Sequence, residues 1–351
     1  MGIHILKLDD LHWESPDAAS LHFKQAAVDR IHFLPGQFLT LKVEIEGSYY
    51  FRSYSISSAP RLDDILSITI KRVKGGIVSN YILDHYEAGQ LVEFLSPKGR
   101  FIIQNSIKEE RRLILIAGGS GITPIMSILR STLFNEPKSK IELLYASRDE
   151  KHIIFKDKLD DLLKKFPKRF RLTHFLSQGK EEKAGIIHSR LNPELLEKEL
   201  NKIVSSFPQL FYLCGPTALM DMAQEVLEKR GIAQEDIHRE RFIAEETEIQ
   251  EQVEFEGPSV GVQVKWGEQS YQVMVPPGST ILRAAIEQGI DLPHSCLRGI
   301  CATCMGHLKS GQVRMLNNET LLDFEVEAGK VLVCQSQPLD QEVVIEVGKS
   351  F

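Results

Sequence analysis

The chain has 351 residues, of which 42% are hydrophobic and 26% charged, with a formal net charge of −6 and five cysteines. This composition excludes a disordered chain, a basic nucleic-acid binder and a disulfide scaffold. The first ten residues carry acids where a signal peptide needs an apolar run, and no uncharged apolar stretch of about 18 residues occurs, so a cytoplasmic chain without a membrane span is expected.

The length suits two or three domains of about 150 residues. Residues 1–108 read as β-rich. Segments 38–43 and 65–71 alternate or carry β-branched residues, and turn formers such as Pro35-Gly36 and Lys74-Gly75-Gly76 separate them. Many short strands without long helices predict an antiparallel barrel. One short helix is expected after Gly76, through residues 79–83.

Residues 109–243 alternate strand and helix. Strands are expected at 113–117, 141–145, 170–175 and 210–214, and helices at 122–134, 153–165 and 218–230. This rhythm predicts a doubly wound parallel sheet. Residues 244–257 are acidic, have no helical stripe and read as an exposed linker. Residues 258–351 show a hairpin (260–266 and 270–275), a helix (280–288), a cysteine-bearing loop and a last strand (343–347). The expected fold class is therefore multidomain, β then α/β then α+β.

The cysteine loop carries the strongest signal. Cys296-x4-Cys301-x2-Cys304, followed by Cys334, has the plant-type [2Fe–2S] spacing. Two irons bridged by two sulfides need four thiolates in a small volume. A tight loop supplies three and a distant segment the fourth. Gly299, Ala302 and Thr303 let backbone N–H groups approach the sulfurs. A zinc ribbon would usually pair two C-x2-C knuckles, and only one is present. The run from His294 to Cys304 resembles the plant-type ferredoxins, which implies a β-grasp domain over residues 258–351.

Arg52-Ser53-Tyr54-Ser55 follows an expected strand. A flavin needs a cation for its phosphate (Arg52), an aromatic wall (Tyr54) and a hydroxyl near the position that receives hydride (Ser55). The strand carrying Ile70, Lys71 and, just beyond it, Val73 would flank the ring. Gly76, Val78 and Ser79 open the short helix, whose N-terminal amides suit a phosphate. These motifs, with Pro35-Gly36-Gln37-Phe38, resemble the ferredoxin–NADP reductase superfamily. That resemblance implies a flavin-binding barrel and, because the sites suit two phosphates, FAD over FMN. At 96–101 the run Ser-Pro-Lys-Gly-Arg-Phe departs from the family's Gly-Pro-x-Gly-x-Phe, and only a local turn difference is expected.

Gly118-Gly119-Ser120-Gly121-Ile122-Thr123-Pro124 joins the first parallel strand to its helix, where glycines let the backbone approach a pyrophosphate. It resembles the superfamily's nicotinamide loop, and the resemblance places Thr123 near the flavin–nicotinamide contact. Cys214-Gly215-Pro216 ends a strand at the sheet's carboxyl edge. The resemblance places Cys214 beside the nicotinamide as a packing and positioning residue. Ser147-Arg148 follows the second strand, where an Arg favours a 2′-phosphate and hence NADPH over NADH. Glu240 and Phe242 are carried over as the acid and aromatic that the family sets near the flavin.

Flavin, nicotinamide and ferredoxin domains in this order resemble the oxygenase-reductase group, which includes phenylacetyl-CoA epoxidase and ketosteroid hydroxylase reductases. The resemblance implies a path from NAD(P)H through FAD and [2Fe–2S], one electron at a time, to an oxygenase partner. The alternatives are a stand-alone NAD(P)H oxidase, a quinone or ferredoxin reductase, and a non-catalytic redox sensor.

Overall fold

Alternating apolar and polar residues build the N-terminal domain as strands, each with one face turned inward. The computed structural model describes residues 3–25, 30–179, 184–203, 207–242, 258–290, 292–294 and 296–347. Strands β1 (Ile3–Lys7), β2 (Asp10–Ser15), β3 (Ala18–Lys24), β4 (Phe38–Ile45), β5 (Ser48–Ser55) and β6 (Ile65–Lys71) precede helix α1 (Ile77–His85) and strand β7 (Leu91–Lys98). They form two antiparallel sheets, ordered β1-β7-β4-β5 and β2-β3-β6. An Ile56–Ile68 bridge just past β5 links the two, as the expected barrel requires. Phe23 and Phe94 meet edge to face in the core, their ring centres 4.9 Å apart.

The middle domain runs β8 (Arg112–Gly118), α2 (Ile122–Asn135), β9 (Lys140–Ser147), α3 (Lys156–Lys165), β10 (Phe170–Leu176), β11 (Ile186–Ile187), α4 (Pro193–Asn201), β12 (Gln209–Cys214), α5 (Thr217–Lys229) and β13 (Ile237–Glu240). All six strands are parallel, ordered β11-β10-β9-β8-β12-β13. Successive β8 residues serve opposite faces. Leu113 and Leu115 join the core with α2 and α3, while Ile114 and Ile116 join the core with α4 and α5. That two-sided burial makes the sheet doubly wound, with its switch point between β8 and β12.

Three elements here lay outside the expected set: β11, α4 and β13. Helix α4 starts on Pro193, and the Asn192 side chain accepts the Leu195 N–H as its cap. Helix α3 begins at Lys156, later than expected, because Phe155 adopts a left-handed φ of 63° after a single 3₁₀ turn.

The third domain comprises β14 (Val260–Trp266), β15 (Gln269–Val275), α6 (Ile281–Glu287), β16 (Met305–Ser310), β17 (Val313–Met315), α7 (Asp323–Glu327), β18 (Lys330–Leu332), β19 (Ser336–Pro338) and β20 (Val343–Val347). Its main sheet is ordered β15-β14-β20-β16-β18, with β14 and β20 parallel and the other pairs antiparallel. The buried face of α6 (Ile281, Leu282, Ala284, Ala285) packs into the domain's core, giving the expected β-grasp. The acidic segment expected as a linker, 244–257, lies outside the described residues. Among the described residues no helix is long and apolar enough to cross a membrane.

Side chains tie the domains together. Between barrel and middle domain, Arg130 forks onto both Asp63 oxygens at 2.5 and 2.7 Å, and Ser127 donates to the Ser58 carbonyl at 2.6 Å. Between barrel and third domain, Lys98 meets Glu325 at 2.6 Å and Arg100 meets Asp323 at 2.8 Å. Both basic residues belong to the run 96–101, expected to differ from the family only as a local turn. They stand at its two variable positions, while its one departure, Ser96, meets His4 at 3.2 Å within the barrel.

Candidate redox site

The carboxyl end of the parallel sheet faces the end of β5, and two loops shape it. One follows β8 (Gly118 to Gly121) and the other follows β12 (Cys214-Gly215-Pro216). They pack backbone to backbone, for a methyl added to Gly121 would lie 2.1 Å from the Cys214 carbonyl oxygen. Only a residue without Cβ permits this approach. Helix α2 starts from Gly121 without a side-chain cap, and the Ile122 N–H is held by the Gly119 and Ser120 carbonyls of the 3₁₀ turn before it. The Thr123 hydroxyl turns back to donate to the Ser120 carbonyl at 2.9 Å and is almost fully buried, so it closes the loop.

Three of the expected residues converge here. Strand pairing sets Cys214 beside Glu240, and Ser55, reaching across from the barrel, donates to Glu240 Oε2 at 3.3 Å. Burial raises the Glu240 carboxyl to about 8, against the opposing hydrogen bond from Ser55. Burial, and then the nearby Glu240, push the Cys214 thiol up. A fully buried thiol held protonated is a packing group, which agrees with its expected role. Phe242 stands exposed at the edge of the described residues.

On the barrel, Arg52, Ser53, Tyr54 and Ser55 occupy the last half of β5. Arg52 donates to the Phe51 carbonyl at 2.9 Å and lies over the Tyr50 ring. Helix α1 starts from Gly76 with no side-chain cap, and a helix start of this kind suits a phosphate. Ser79 Oγ accepts the Val73 N–H at 3.2 Å, folding the loop onto the helix start. The side chains of Ile70 and Val78 are buried in the barrel core, so only their backbones can touch a ligand, and Val73 is exposed. Lys71 Nζ lies 3.7 Å from where Gly119 would carry a Cβ, which brings the barrel's cation over the glycine loop. Ser147 and Arg148 end β9 and follow it, and Arg148 contacts Asp17 of the barrel.

In the third domain the Cys296 sulfur accepts N–H groups from Arg298, Ile300 and Cys301 at 3.3–3.4 Å. Its thiol is lowered to about 5, chiefly by a hydrogen bond with Cys301, against burial. The neighbouring Cys334, and then burial, push the Cys304 thiol up. The loop wraps this tightly because Leu297, Gly299 and Ala302 all take positive φ. Four thiols gathered under inward-pointing amides fit a two-iron cluster. Among the described residues no three His, Cys, Asp or Glu side chains close on a single ion; a two-iron cluster gives each iron only two thiolates.

Sequence reasoning missed the residues that join the stations. Thr40 on β4 lies opposite Ser53, their hydroxyls 3.0 Å apart, and its hydroxyl donates to the Cys301 carbonyl at 3.3 Å. Its signal was slight: one polar residue on the buried face of an apolar strand. Asp17, Asp323 and Glu325 belong to no motif, and Lys98 and Arg100 stand at the variable positions of the run 96–101.

Comparison with known proteins matches the chain to three domain families. These are the oxidoreductase FAD-binding domain at residues 6–103, the oxidoreductase NAD-binding domain at 115–225 and the 2Fe-2S iron-sulfur cluster binding domain at 264–339. One component of the 1,2-phenylacetyl-CoA epoxidase from Escherichia coli is 34% identical, over 98% of this chain and 97% of that one. The ferredoxin reductase component of 3-ketosteroid-9-alpha-monooxygenase from Mycolicibacterium smegmatis is 33% identical, over 98% of both chains. Among solved structures, phthalate dioxygenase reductase shares the fold with a TM-score of 0.60 and 24% identity, over 98% of both chains. The domains thus account for FAD, a nicotinamide dinucleotide and a [2Fe–2S] cluster.

Proposed function

Because the chain belongs to the ferredoxin–NADP reductase superfamily, in the oxygenase-reductase group that ends in a plant-type ferredoxin domain, we propose that it delivers electrons from NAD(P)H, one at a time, to a partner oxygenase. When bound, the flavin takes a hydride and releases single electrons, which the cluster carries onward. The observation that carries this reading is the contact of the cluster loop with the flavin strand pair, through Thr40 and Cys301. A chain that only oxidised NAD(P)H at its flavin would need no such seat for a ferredoxin domain.

The residues divide the work. Arg52, Ser53 and Tyr54 would hold the flavin's phosphate, ribityl chain and ring wall, and the uncapped start of α1 with Gly76 and Ser79 would bind its pyrophosphate. Ile70, Val73 and Val78 would line the flavin by their backbones. The Gly118–Gly119–Ser120–Gly121 loop, closed by Thr123, would receive the nicotinamide dinucleotide's pyrophosphate with Lys71. Cys214, Gly215 and Pro216 would set the nicotinamide's position, and Ser55 with Glu240 would hold a proton beside it. Phe242 would cover the flavin from the edge of β13. Ser147 and Arg148 would meet the adenosine ribose, with NADPH preferred over NADH. Cys296, Cys301, Cys304 and Cys334 would ligate the cluster. The domains would divide at 1–108, 109–243 and 258–351, with 244–257 the linker between the last two, in a cytoplasmic protein.

Anaerobic titration with NADPH and NADH tests the path. The purified protein should be brown-yellow, bleach at the flavin and give an iron–sulfur EPR signal on reduction. Cys301→Ser should remove the cluster signal and leave flavin bleaching intact. A colourless zinc protein would overturn the proposal, as would rapid quinone turnover with no transfer to any co-purifying oxygenase.

A further inference from the structure

The β2–β3 turn holds a carboxylate that no motif explains. Asp17 Oδ2 lies 3.6 Å from Lys71 Nζ and 3.4 Å from Arg148 Nη2. Its other oxygen accepts from Ser15 Oγ at 2.9 Å, and its carbonyl accepts the Arg72 N–H at 2.7 Å. The acid is therefore fixed at both ends of its residue. Lys71 belongs to the barrel and Arg148 to the middle domain, so one carboxylate collects a cation from each side of the crevice. Lys71 also overhangs the glycine loop at Gly119.

We propose that Asp17 is a stand-in anion for the dinucleotide: it holds Lys71 and Arg148 in place until phosphates replace it, and its competition for Arg148 sets the affinity for NADPH relative to NADH. This rests on Lys71 and Arg148 being nucleotide ligands. A dianionic 2′-phosphate would outbid a single carboxylate for a guanidinium, whereas NADH brings nothing to Arg148 and contends with Asp17 only at Lys71. Holding the cations beforehand reduces the ordering that binding must impose. The same acid weakens net affinity by the strength of its own pairs, which are half-exposed and modest.

The test titrates the fully loaded protein with NADP+ and with NAD+, following binding directly by calorimetry. Asp17→Asn keeps an oxygen for Ser15 and removes the charge. It should tighten NADP+ by about 2- to 5-fold and NAD+ by less, and in an Arg148→Ala background it should tighten NADP+ no more than NAD+. Glu14, on the same hairpin, grips Lys158 of α3 at 2.8 Å. Glu14→Gln should leave both affinities unchanged, so equal tightening there would mean a general loosening of the domains and would sink the role of Asp17. Unchanged or weaker NADP+ binding in Asp17→Asn, while Arg148→Ala weakens it, overturns the competition but spares Arg148 as a ligand. If Arg148→Ala moves neither affinity, the ligand reading itself fails, and the proposal with it.

Discussion

The Thr40 hydroxyl of the barrel donates to the main-chain carbonyl of Cys301 in the cluster loop. With that proton committed, Ser53 must be the donor in its 3.0 Å contact with Thr40. A chain of hydroxyls therefore runs from the Arg-Ser-Tyr-Ser segment to a residue that carries a cluster thiol.

Thr40→Val keeps the shape of the strand and removes the donor. One such hydrogen bond is worth about 0.5–1.5 kcal/mol. Stopped-flow reduction by NADPH should show flavin bleaching within twofold of wild type and cluster reduction slowed by about 2- to 10-fold. Equal rates at both stations would show that the contact has no part in seating the domain.

Lys98 and Lys330 share one Glu325 oxygen, at 2.6 and 2.7 Å, on a carboxylate with 7% of its side chain exposed. Burial works to raise the Glu325 carboxyl, but hydrogen bonds from the two ammoniums overcome it and hold it below its ordinary value. Its folded value is depressed, so its stabilising contribution is present above the ordinary carboxylate range and lost as pH falls through the depressed value. Lys98→Glu should slow cluster reduction far more than Thr40→Val does, and leave flavin bleaching unchanged. In wild type the cluster phase should slow as salt rises, and that dependence should flatten in Lys98→Ala.

Glu240 has the opposite sign. Its carboxyl is raised to about 8, so the folded chain keeps a proton that the unfolded chain releases. Folding stability should fall as pH rises from the ordinary carboxylate value to about 8, and level off above it. Thermal unfolding of Glu240→Gln across that window should lack this slope. The hydride-transfer rate of wild type should also change near pH 8, and that inflection should vanish in the variant.

Gly121→Ala would set a methyl 2.1 Å from the Cys214 carbonyl oxygen. The two loops must part to admit it. Nicotinamide binding should weaken by about 5- to 150-fold, in line with a strain of about 1–3 kcal/mol from overpacking, while flavin content stays near wild type. Direct titration with NADP+ beside flavin absorbance checks both.

The three-domain plan was legible because its signals are local. The apolar run of β8, the glycine loop behind it and the Cys296–Cys304 spacing each lie within a dozen residues. Ser55, Cys214 and Glu240 were legible only through motif resemblance, and their convergence depends on strand order. Elements went unread where local signals are weak. Strand β11 has two residues, and β13 is a short strand whose place comes from pairing with β12. The later start of α3 turns on the left-handed Phe155, a conformation that the sequence does not announce. The inter-domain contacts of Thr40, Asp17 and Lys98 were illegible for a different reason: each is an ordinary polar residue until the partner domain is set against it.

Cys301, Cys304 and Cys334 are 5%, 2% and 4% exposed, Cys296 is half-buried, and the barrel's Thr40 bonds the carbonyl of Cys301. An acceptor meeting the Thr40 side of the loop would have to displace the barrel, whereas one meeting the Cys296 edge could dock with the barrel still in place.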